Sequence, residues 1–330
     1  MADSGKCSGE IVSRLARESD FQAILEISKG LYDGRDYLPN VFFQWLNDAN
    51  RYIIIAEMES KVIGLSVLHV VDAGKTIVHQ AMRIHPKYRG QNLGTKFFQR
   101  IEQYVREHFP TIEIERLVTG SYSPMAQAMA KRLSFEPFLS FNCCELAIQC
   151  DTFLTFQETF LTSKVFKLMT KDEFENLIVQ NTYTGKLNGV IAKNTFVMQH
   201  HPYDVLPSNC SKGLLEKQDC FYVHTNADTK AIQSLSHGRM VPEGKFMNWL
   251  ATIYTSDAEL LKIHIAKQLK SAILQSKGTS FVFHCFFYHF LTSSAKLFFQ
   301  NELLMKKNEI KLMDMIVYRK IVNKQFESKL

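Results

Sequence analysis

Residues 81–101 read AMRIHPKYRGQNLGTKFFQRI and combine a strand, a turn with two glycines and an amphipathic helix. The strand passes into His85-Pro86, and the helix opens at residues 95–96. A helix N terminus presents backbone N–H groups that lack partners inside the helix, and the helix dipole adds positive potential there. Arg89 adds a permanent cation. The stretch therefore predicts a phosphate-binding turn, whereas two spaced glycines alone would indicate only a tight strand–helix connection.

The turn resembles the acetyl-CoA-binding motif of the GNAT N-acetyltransferases, in which Arg or Gln precedes a glycine-bearing turn and a helix. Asn92 replaces the first glycine of that motif, and Asn adopts a positive φ more readily than most residues. Residues 82–86 resemble the family's fourth strand, and residues 123–135 resemble the helix after its fifth strand. The resemblance implies backbone contacts from the strand to the pantetheine arm and from the turn to the pyrophosphate. The residues expected to bind acetyl-CoA are Met82, Ile84, Arg89, Gly90, Gln91, Asn92, Leu93, Gly94, Thr95 and Ser123.

Composition restricts the class of protein. The chain has 330 residues, enough for two modest cores, and its 46% hydrophobic content is typical of a globular protein. The net charge of +6 suits an anionic cosubstrate such as CoA, and the basic residues are too dispersed to indicate nucleic-acid binding. The seven cysteines lack metal-ligand spacing, which indicates reduced, mostly buried thiols and no metal site.

Targeting signals are not recognisable in the sequence. The first ten residues, MADSGKCSGE, have no apolar core and do not resemble a signal peptide. The longest apolar run, FVFHCFFYHFL at residues 281–291, is too short to span a bilayer and predicts a buried strand. We therefore expect a cytoplasmic protein that does not enter a membrane. The oligomeric state is left open.

Hydrophobic periodicity and turn residues predict the order β-α-α-β-β-β-α-β-α-β over residues 1–150. This order matches the GNAT fold, an α/β (α+β) arrangement with a mixed sheet. Its first two helices are predicted over residues 21–31 and 41–48, and the helix after the phosphate turn over residues 95–108. His85 and the turn then lie between the fourth strand and this third helix. We expect residues 1–150 to form a catalytic acetyltransferase domain.

The predicted order of strands and helices restarts in the second half of the chain. Thr170 and Glu173 form a capping box after a short strand, and a strand–helix–strand pattern follows over residues 247–287. Residues 255–259 read TSDAE, with two acids and no glycine, so this half should repel phosphate. Residues 160–330 are therefore predicted to form a degenerate GNAT-like domain that does not bind CoA. A generic α+β domain is the alternative.

The loop at residues 30–39, GLYDGRDYLP, lies between the first two predicted helices, where GNAT enzymes wall the acceptor pocket. Its arginine suits a carboxylate, its acids suit an amine or imidazolium, and an ordinary surface turn is the alternative. The loop resembles that of vertebrate histidine N-acetyltransferases, which implies that free L-histidine is acetylated on its α-amine. The expected substrate-binding residues are Tyr32, Arg35, Asp36, Tyr37 and Gln80.

The sequence does not identify a single acid and base for the reaction, because two positions carry residues that differ from those typical of the family. Ala130 stands where many members carry a tyrosine acid, and Gln80 stands where a glutamate often occurs. An amide cannot accept a proton at neutral pH, so other groups, a water chain or the imidazole of the substrate must act as base. The candidate catalytic residues are Glu57 and His79 as bases and Tyr122 as acid.

Simple alternation along the fourth strand would place Gln80, Met82 and Ile84 on one face of the sheet and His79 on the other. The missing tyrosine and the Gln80 substitution also favour a second interpretation, an acetyl-CoA-binding pseudoenzyme that acts as a sensor. Within the enzyme class, another small amine or a protein N terminus is the alternative acceptor.

Overall fold

The structure is a computed structural model, which describes residues 10–120, 123–149, 166–198, 200–210, 214–244, 246–303 and 309–322. Contacts within the chain define two compact units. The first unit comprises residues 1–117, 243–245 and 320–330, and the second comprises residues 118–242 and 246–319. The units divide at residue 117, whereas the sequence pattern restarts after residue 150, so the domain limits 1–150 and 160–330 stay a prediction.

The first unit contains strands in the order β1-β2-β3-β4-β5. Neighbours are antiparallel except β4 and β5, which are parallel and are linked by a helix. The strands are β1 (Val12–Leu15), β2 (Arg51–Met58), β3 (Lys61–Val71), β4 (Thr76–Ile84) and β5 (Ile114–Gly120), which begins in this unit. The helices are α1 (Phe21–Ser28), α2 (Leu38–Leu46) and α3 (Leu93–His108).

Apolar residues cover both faces of these strands. In β2, Ile53 and Ile55 belong to a core with α1 and α2, whereas Ile54 and Ala56 belong to a second core with α3. The continuous apolar run RYIIIAE thus reflects a strand that is buried on both sides, as the sequence predicts. The phosphate turn leads into α3, which packs on one face of the sheet, and the acceptor loop joins α1 and α2, which pack on the other face.

Helix limits differ from the predicted ones by two or three residues. Helix α1 ends at Ser28 rather than at residue 31, and Gly30 follows with a left-handed φ of 74°. Helix α2 begins at Leu38, three residues early, because Pro39 is accommodated in its first turn. Helix α3 begins at Leu93 rather than at Thr95, so the phosphate turn is shorter than predicted.

A β-bulge in β4 changes which side chains share a face. Leu65 of β3 pairs with Arg83, and Val67 pairs with Gln80, so one residue of β3 opposes two of β4. The bulge includes Ala81, whose φ is 49°. An extra residue in one strand reverses the alternation beyond it.

The predicted orientation of His79 is therefore wrong. The His79 ring lies 4.9 Å from the ring of Phe98 on α3, and Met82 and Ile84 also pack against the α3 core. Ala81 instead packs against the α1 and α2 core. His79 shares a face with Met82 and Ile84, and alternation places Gln80 on the α1 and α2 face.

The second unit contains strands in the order β14-β6-β13-β12-β11-β10-β7, with a separate β8-β9 hairpin. The strands are β6 (Glu136–Ile148), β7 (Phe166–Met169), β8 (Thr195–Met198), β9 (His201–Asp204), β10 (Cys220–Thr225), β11 (Ile232–Glu243), β12 (Phe246–Tyr254), β13 (Phe281–Tyr288) and β14 (Ile310–Ile321). The helices are α4 (Pro124–Arg132), α5 (Lys171–Thr184), α6 (Ala258–Ser276) and α7 (Thr292–Leu297).

The second unit repeats one arrangement of the first. Strands β12 and β13 are parallel and are joined by α6, as β4 and β5 are joined by α3. The predicted capping box is present, because Glu173 N donates to Thr170 Oγ1 and Thr170 N donates to the Glu173 carboxylate. Strand β6 pairs with β13 and β14.

The described cysteines agree with the prediction of reduced thiols. The five described cysteines are free, and Cys143, Cys144 and Cys285 are buried. Burial raises the pKa of the Cys144 and Cys285 thiols, which keeps them protonated at neutral pH. Within the described residues, none of the helices is long and apolar enough to cross a membrane.

Gly64 allows β3 and β4 to approach beside the bulge, so we predict that Gly64→Ala destabilises the protein. A Cβ at Gly64 would lie 2.6 Å from Arg83 O and 2.8 Å from Ile84 Cδ1. Overpacking of this kind costs about 1–3 kcal/mol, which thermal unfolding should show as a lower midpoint. Gly189→Ala is the matched control, since nothing lies within 4 Å of its added Cβ. Equal midpoints for both variants would contradict the close approach.

Candidate active site

The N terminus of α3 has the geometry of an anion-binding turn. Gly90 and Asn92 both have left-handed conformations, with φ of 78° and 58°. Asn92 is the N-cap of α3, and its side chain makes no capping hydrogen bond. The N–H groups of the first helical turn are therefore directed outward without a side-chain acceptor from the cap. Asn92 confirms the conformation expected of the residue that replaces a glycine.

Arg89 links this turn to the end of β4. Its Nε donates a hydrogen bond to the carbonyl of Ile84 at 2.9 Å, and its side chain is exposed. Among the residues that the structure describes, the terminal guanidinium nitrogens of Arg89 make no further hydrogen bond or ion pair. Positive charge at a helix N terminus strengthens its attraction for phosphate.

The corresponding helix of the second unit is capped by its own carboxylate. Asp257 Oδ1 accepts hydrogen bonds from Glu259 N at 2.7 Å and from Leu260 N at 2.9 Å. The carboxylate therefore occupies the place that an anionic ligand would take. The two strand–helix–strand segments therefore differ in charge at the helix N-cap, which is a carboxylate at Asp257 and a neutral amide at Asn92.

Strands β4 and β5 pair along only a short stretch. Their register covers Thr76–Val78 opposite Ile114–Arg116, although β4 continues to Ile84. In the part of the chain that the structure describes, β4 and β5 do not pair beyond Val78, and an unpaired strand edge can bind another extended chain. Met82 and Ile84 lie on this open part of β4, which leads to the turn at Arg89.

The structure brings together nine of the ten predicted cofactor residues. Those from Met82 to Thr95 lie on β4, the turn and the start of α3. Leu93 is 3% exposed in the α3 core, so its side chain is structural and only its backbone N–H is available. Ser123 is the N-cap of α4 in the second unit, and its N–H donates to Gly120 O. Tyr122 lies outside the described residues.

His79 forms a buried pair with Glu115 at the point where β4 and β5 stop pairing. His79 Nε2 lies 2.6 Å from Glu115 Oε2, and both side chains are buried. Burial alone would raise the pKa of Glu115, but the His79 hydrogen bond and charge, with Lys320 and Arg106, lower it below its usual value. Glu115 is therefore a carboxylate that orients the imidazole. The sequence analysis missed Glu115, although a glutamate inside an apolar strand signals a buried partner.

Glu57 has a different environment. Its carboxylate accepts a hydrogen bond from Arg14 Nη2 at 2.7 Å, and the same guanidinium binds both oxygens of Asp20. Arg14 and Glu57 lie on the paired strands β1 and β2 at the edge of the sheet. The Glu57 carboxylate is therefore held in an ion pair at the edge of the sheet, away from the turn at Arg89.

The acceptor loop is centred on a buried ion pair. Arg83 donates from Nε and Nη2 to the two carboxylate oxygens of Asp36, at 3.0 and 2.7 Å. The rings of Tyr32 and Tyr37 lie 5.7 and 5.3 Å from the Arg83 guanidinium carbon. Asp36 is therefore neutralised within the protein and is not a free counter-ion for an amine.

Two further residues of the predicted acceptor set differ in exposure. Gln80 is 3% exposed, and neither its amide oxygen nor its amide nitrogen has a hydrogen-bond partner among the described residues. Arg35 is partly exposed at the end of the loop, where its Nε donates to Tyr32 O. Burial raises the pKa of Tyr37, so its phenol is neutral at pH 7.

Arg83 was absent from the predicted site. The sequence places it one residue after Met82 on an apolar strand, where an arginine requires a carboxylate partner. That partner, Asp36, lies 47 residues away in the chain. Among the described residues, no group of three His, Cys, Asp or Glu side chains is arranged to hold a metal ion.

Comparisons with known proteins agree with this geometry. Residues 19–135 match the acetyltransferase (GNAT) family, and residues 162–288 match the family described as histidine N-acetyltransferase, C-terminal. The chain therefore contains a GNAT acetyltransferase domain, followed by a segment of the C-terminal histidine N-acetyltransferase type. The crystal structure of a GCN5-related N-acetyltransferase from Sphaerobacter thermophilus covers 94% of this chain and 95% of its own, with 10% identity and a TM-score of 0.59. This likeness confirms the expected GNAT fold.

The chain is also similar to histidine N-acetyltransferases along much of its length. The protein of that name from Xenopus tropicalis is 26% identical over 204 residues, which cover 61% of this chain and 62% of the relative. The one from Oreochromis niloticus is 25% identical over 227 residues, which cover 67% of each chain. This chain thus spans slightly less than two thirds of the first relative. The predicted resemblance to histidine N-acetyltransferases is confirmed over about two thirds of the chain.

Asn92→Asp should weaken acetyl-CoA binding without loss of stability. An aspartate can occupy the same left-handed N-cap, but its carboxylate would cap the helix and repel phosphate, as Asp257 does in the second unit. We expect the dissociation constant of acetyl-CoA to rise about tenfold or more in calorimetric titration, with an unchanged or higher thermal midpoint. Asp257→Asn is the control and should leave acetyl-CoA affinity unaltered. Wild-type affinity in Asn92→Asp would contradict the assignment of this turn.

Glu115→Gln should remove stability that depends on pH. The folded pKa of Glu115 is lowered, so its contribution is full above the unfolded pKa and is lost as pH falls through the lower, folded value. The variant should therefore be less stable than wild type at pH 7, by about 1–3 kcal/mol, with the gap narrowing below about pH 4. Thermal midpoints from pH 3 to 8 measure this difference. A gap that stays constant would show that the Glu115 charge does not stabilise the fold.

Proposed function

We propose that this protein transfers the acetyl group of acetyl-CoA to the α-amine of free L-histidine, giving N-acetyl-L-histidine and CoA. The open N terminus of α3, with its left-handed Gly90 and Asn92, is the observation that carries the cosubstrate assignment. The choice of histidine is supported by the names of the relatives and by the family matched at residues 162–288. A cytoplasmic location is part of the same proposal.

The cosubstrate fits the residues that the chain provides. The N–H groups of Gly94 and Thr95 and the guanidinium of Arg89 would hold the pyrophosphate. The open edge of β4 at Met82 and Ile84 would pair with the amide groups of the pantetheine arm. The Ser123 hydroxyl, which caps no backbone group of α4, remains a proposed contact. Acetyl-CoA supplies the activated acyl group as a thioester.

The acceptor is proposed to bind on the α1 and α2 face of β4. The buried amide of Gln80 can donate and accept hydrogen bonds there, which suits both an amine and an imidazole. Tyr32 and Tyr37 offer aromatic faces, and Arg35 offers a cation for the carboxylate of an amino acid. We assign the Asp36–Arg83 pair to positioning, because its charges already satisfy each other.

The reaction requires a proton acceptor and a stabilised carbonyl oxygen. We propose that the amine reaches the thioester where β4 and β5 stop pairing, and that His79, oriented by Glu115 on the α3 face, removes its proton through water between the two strands. Glu57 remains structural beside Arg14. The amine nitrogen forms a bond with the carbonyl carbon, the carbon–sulfur bond breaks, and the thiolate then takes a proton. Backbone N–H groups released by the bulge at Ala81 would stabilise the oxyanion. Tyr122 remains the proposed acid.

A second function has one specific support. Ala130 and Gln80 stand where acid and base residues occur in many GNAT enzymes, which favours an acetyl-CoA-binding sensor without turnover. The turn at Arg89 does not separate the two functions, because both require the cosubstrate. Turnover separates them.

We therefore predict that purified protein releases free CoA from acetyl-CoA when L-histidine is present and not with other amino acids. His79→Gln should lower kcat about 10²–10⁴-fold and flatten the pH profile, with acetyl-CoA affinity unchanged. The glutamine amide can still donate to Glu115, which protects the fold. His289→Gln is the matched control at an exposed histidine.

Saturable acetyl-CoA binding without CoA release for any amino acid would contradict the enzyme assignment and support the sensor. A wild-type kcat in His79→Gln would contradict the proposed role of His79 and would leave the rest of the proposal intact. Release with several small amines would contradict the choice of histidine.

A further inference from the structure

A lysine at the end of β14 lies next to the pair formed by His79 and Glu115. Lys320 Nζ is 3.9 Å from Glu115 Oε1, and His79 Nε2 is 2.6 Å from Glu115 Oε2, so the two oxygens of one carboxylate face two different basic groups. All three residues belong to the first unit. The side chain of Glu115 is 5% exposed and that of Lys320 is 21% exposed, so solvent screens their attraction less than that of a surface pair.

Two further contacts hold Lys320 in place. Its ammonium also forms an ion pair with the carboxylate of Glu102 on α3, whose side chain is 17% exposed. Two residues further along the chain, Val322 N donates a hydrogen bond to Glu113 O at 2.9 Å, and the Val322 side chain packs against the α3 core. Glu113 immediately precedes β5. The lysine is therefore fixed beside the start of β5, where it reaches Glu115.

The charges that act on Glu115 come from three elements. Burial opposes ionisation of this carboxyl, and the His79 hydrogen bond is the main contact that lowers its pKa. Lys320 of β14 contributes next, and Arg106 of α3 contributes last. The Arg106 side chain is exposed, so water and salt screen its charge.

Further neighbours of the pair are apolar or point to the opposite face of the sheet. Arg116 is the next residue of β5 and alternates to that other face, where it pairs with Asp72 at 3.3 Å. Leu68 of β3 is the cross-strand neighbour of His79, and the Phe98 ring on α3 lies 4.9 Å from the His79 ring. Apolar neighbours strengthen the effect of the few charges that are present.

The charges of this cluster sum to zero once the imidazole takes up a proton. One positive charge on Lys320 and two negative charges on Glu102 and Glu115 leave one net negative charge beside a neutral His79. A proton on His79 neutralises the sum, which suits a partly buried site. Without the lysine, two negative charges would face the imidazole and attract a proton to it.

We propose that Lys320 is a positioning residue of the acetyl transfer, which directs the Glu115 carboxylate toward His79 and favours the neutral imidazole that can accept the proton of the amine. Lys320 does not contact a substrate and acts through Glu115. The inference rests on the proposed function, in which His79 is the base, and it assigns a role to a residue outside the predicted site.

The pH dependence of CoA release from acetyl-CoA with L-histidine, followed from about pH 5 to pH 9, tests this inference in the full-length protein. Lys320→Met should move the acid limb of kcat/KM to higher pH by about one pH unit, since loss of a nearby cation favours the protonated imidazole. Lys320→Arg should restore the wild-type limb, because it keeps the charge. The titration of L-histidine itself is the same for every variant and cancels in the comparison.

Glu102→Gln should move the same limb to lower pH, because it removes an anion and keeps the Lys320 cation. An ion pair with a structural role alone would lower the thermal midpoint in both variants without moving the limb in opposite directions. Lys75→Met is the matched control. Lys75 Nζ lies 2.6 Å from Glu113 Oε1, but both side chains are half exposed, so the acid limb should stay in place.

An NMR titration of the His79 imidazole, assigned by its absence from His79→Gln, gives the same test without turnover. The midpoint should move to higher pH in Lys320→Met and to lower pH in Glu102→Gln. If Lys320→Met does not fold, Glu102→Gln carries the test, and an unmoved midpoint in that variant would overturn the inference.

An unmoved acid limb in a folded Lys320→Met would overturn the inference and leave the proposed function intact. An equal shift in Lys75→Met, or no recovery in Lys320→Arg, would also overturn it. Protein that shows both shifts in the NMR titration but releases no CoA with L-histidine would instead contradict the proposed function, because the cluster would then tune an imidazole that serves another purpose.

Discussion

The arrangement of side chains around β4 depends on the bulge that contains Ala81. Before it, alternation sends His79 toward α3 and Gln80 toward α1 and α2. After it, Met82 returns to the α3 face and Arg83 to the acceptor face, where it meets Asp36. Without the extra residue, Arg83 would face the apolar α3 core without a carboxylate. One insertion thus sends Met82 and Arg83 to the opposite faces from those that simple alternation predicts.

Electrostatics at helix N termini distinguishes the two halves of the chain. Both units place a helix between parallel strands, and both helices begin with backbone N–H groups that require an acceptor. In the second unit Asp257 supplies that acceptor, which stabilises the helix and excludes an anion. In the first unit Asn92 does not, so the helix start remains available for a phosphate. A helix that binds a ligand at its N terminus forgoes part of its own capping.

Local features of the fold could be predicted from the sequence because their causes lie within a few residues. The phosphate turn, the left-handed Asn92 and the capping box at Thr170 are examples. The bulge could not be predicted, since it appears only when β4 is paired with β3. The ion pair between Asp36 and Arg83 could not be predicted from the sequence either, because it joins residues that are 47 positions apart. Half of the acceptor face therefore depends on register, which periodicity alone does not determine.

Buried polar groups give a further reason to place the acceptor on the α1 and α2 face. His264 in the second unit is a buried polar side chain whose partners all lie within the protein. Its two ring nitrogens contact Ser236 and Ser234, and burial lowers its pKa to about 3. That imidazole is neutral and fully bonded at pH 7, so it stabilises the fold without a ligand. Gln80 and Ser28 are also buried, at 3% and 6% exposure, but have no such partners among the described residues. Under the proposed function, an acceptor with matching donors and acceptors would compensate this desolvation, and the stability of this face would be coupled to substrate binding.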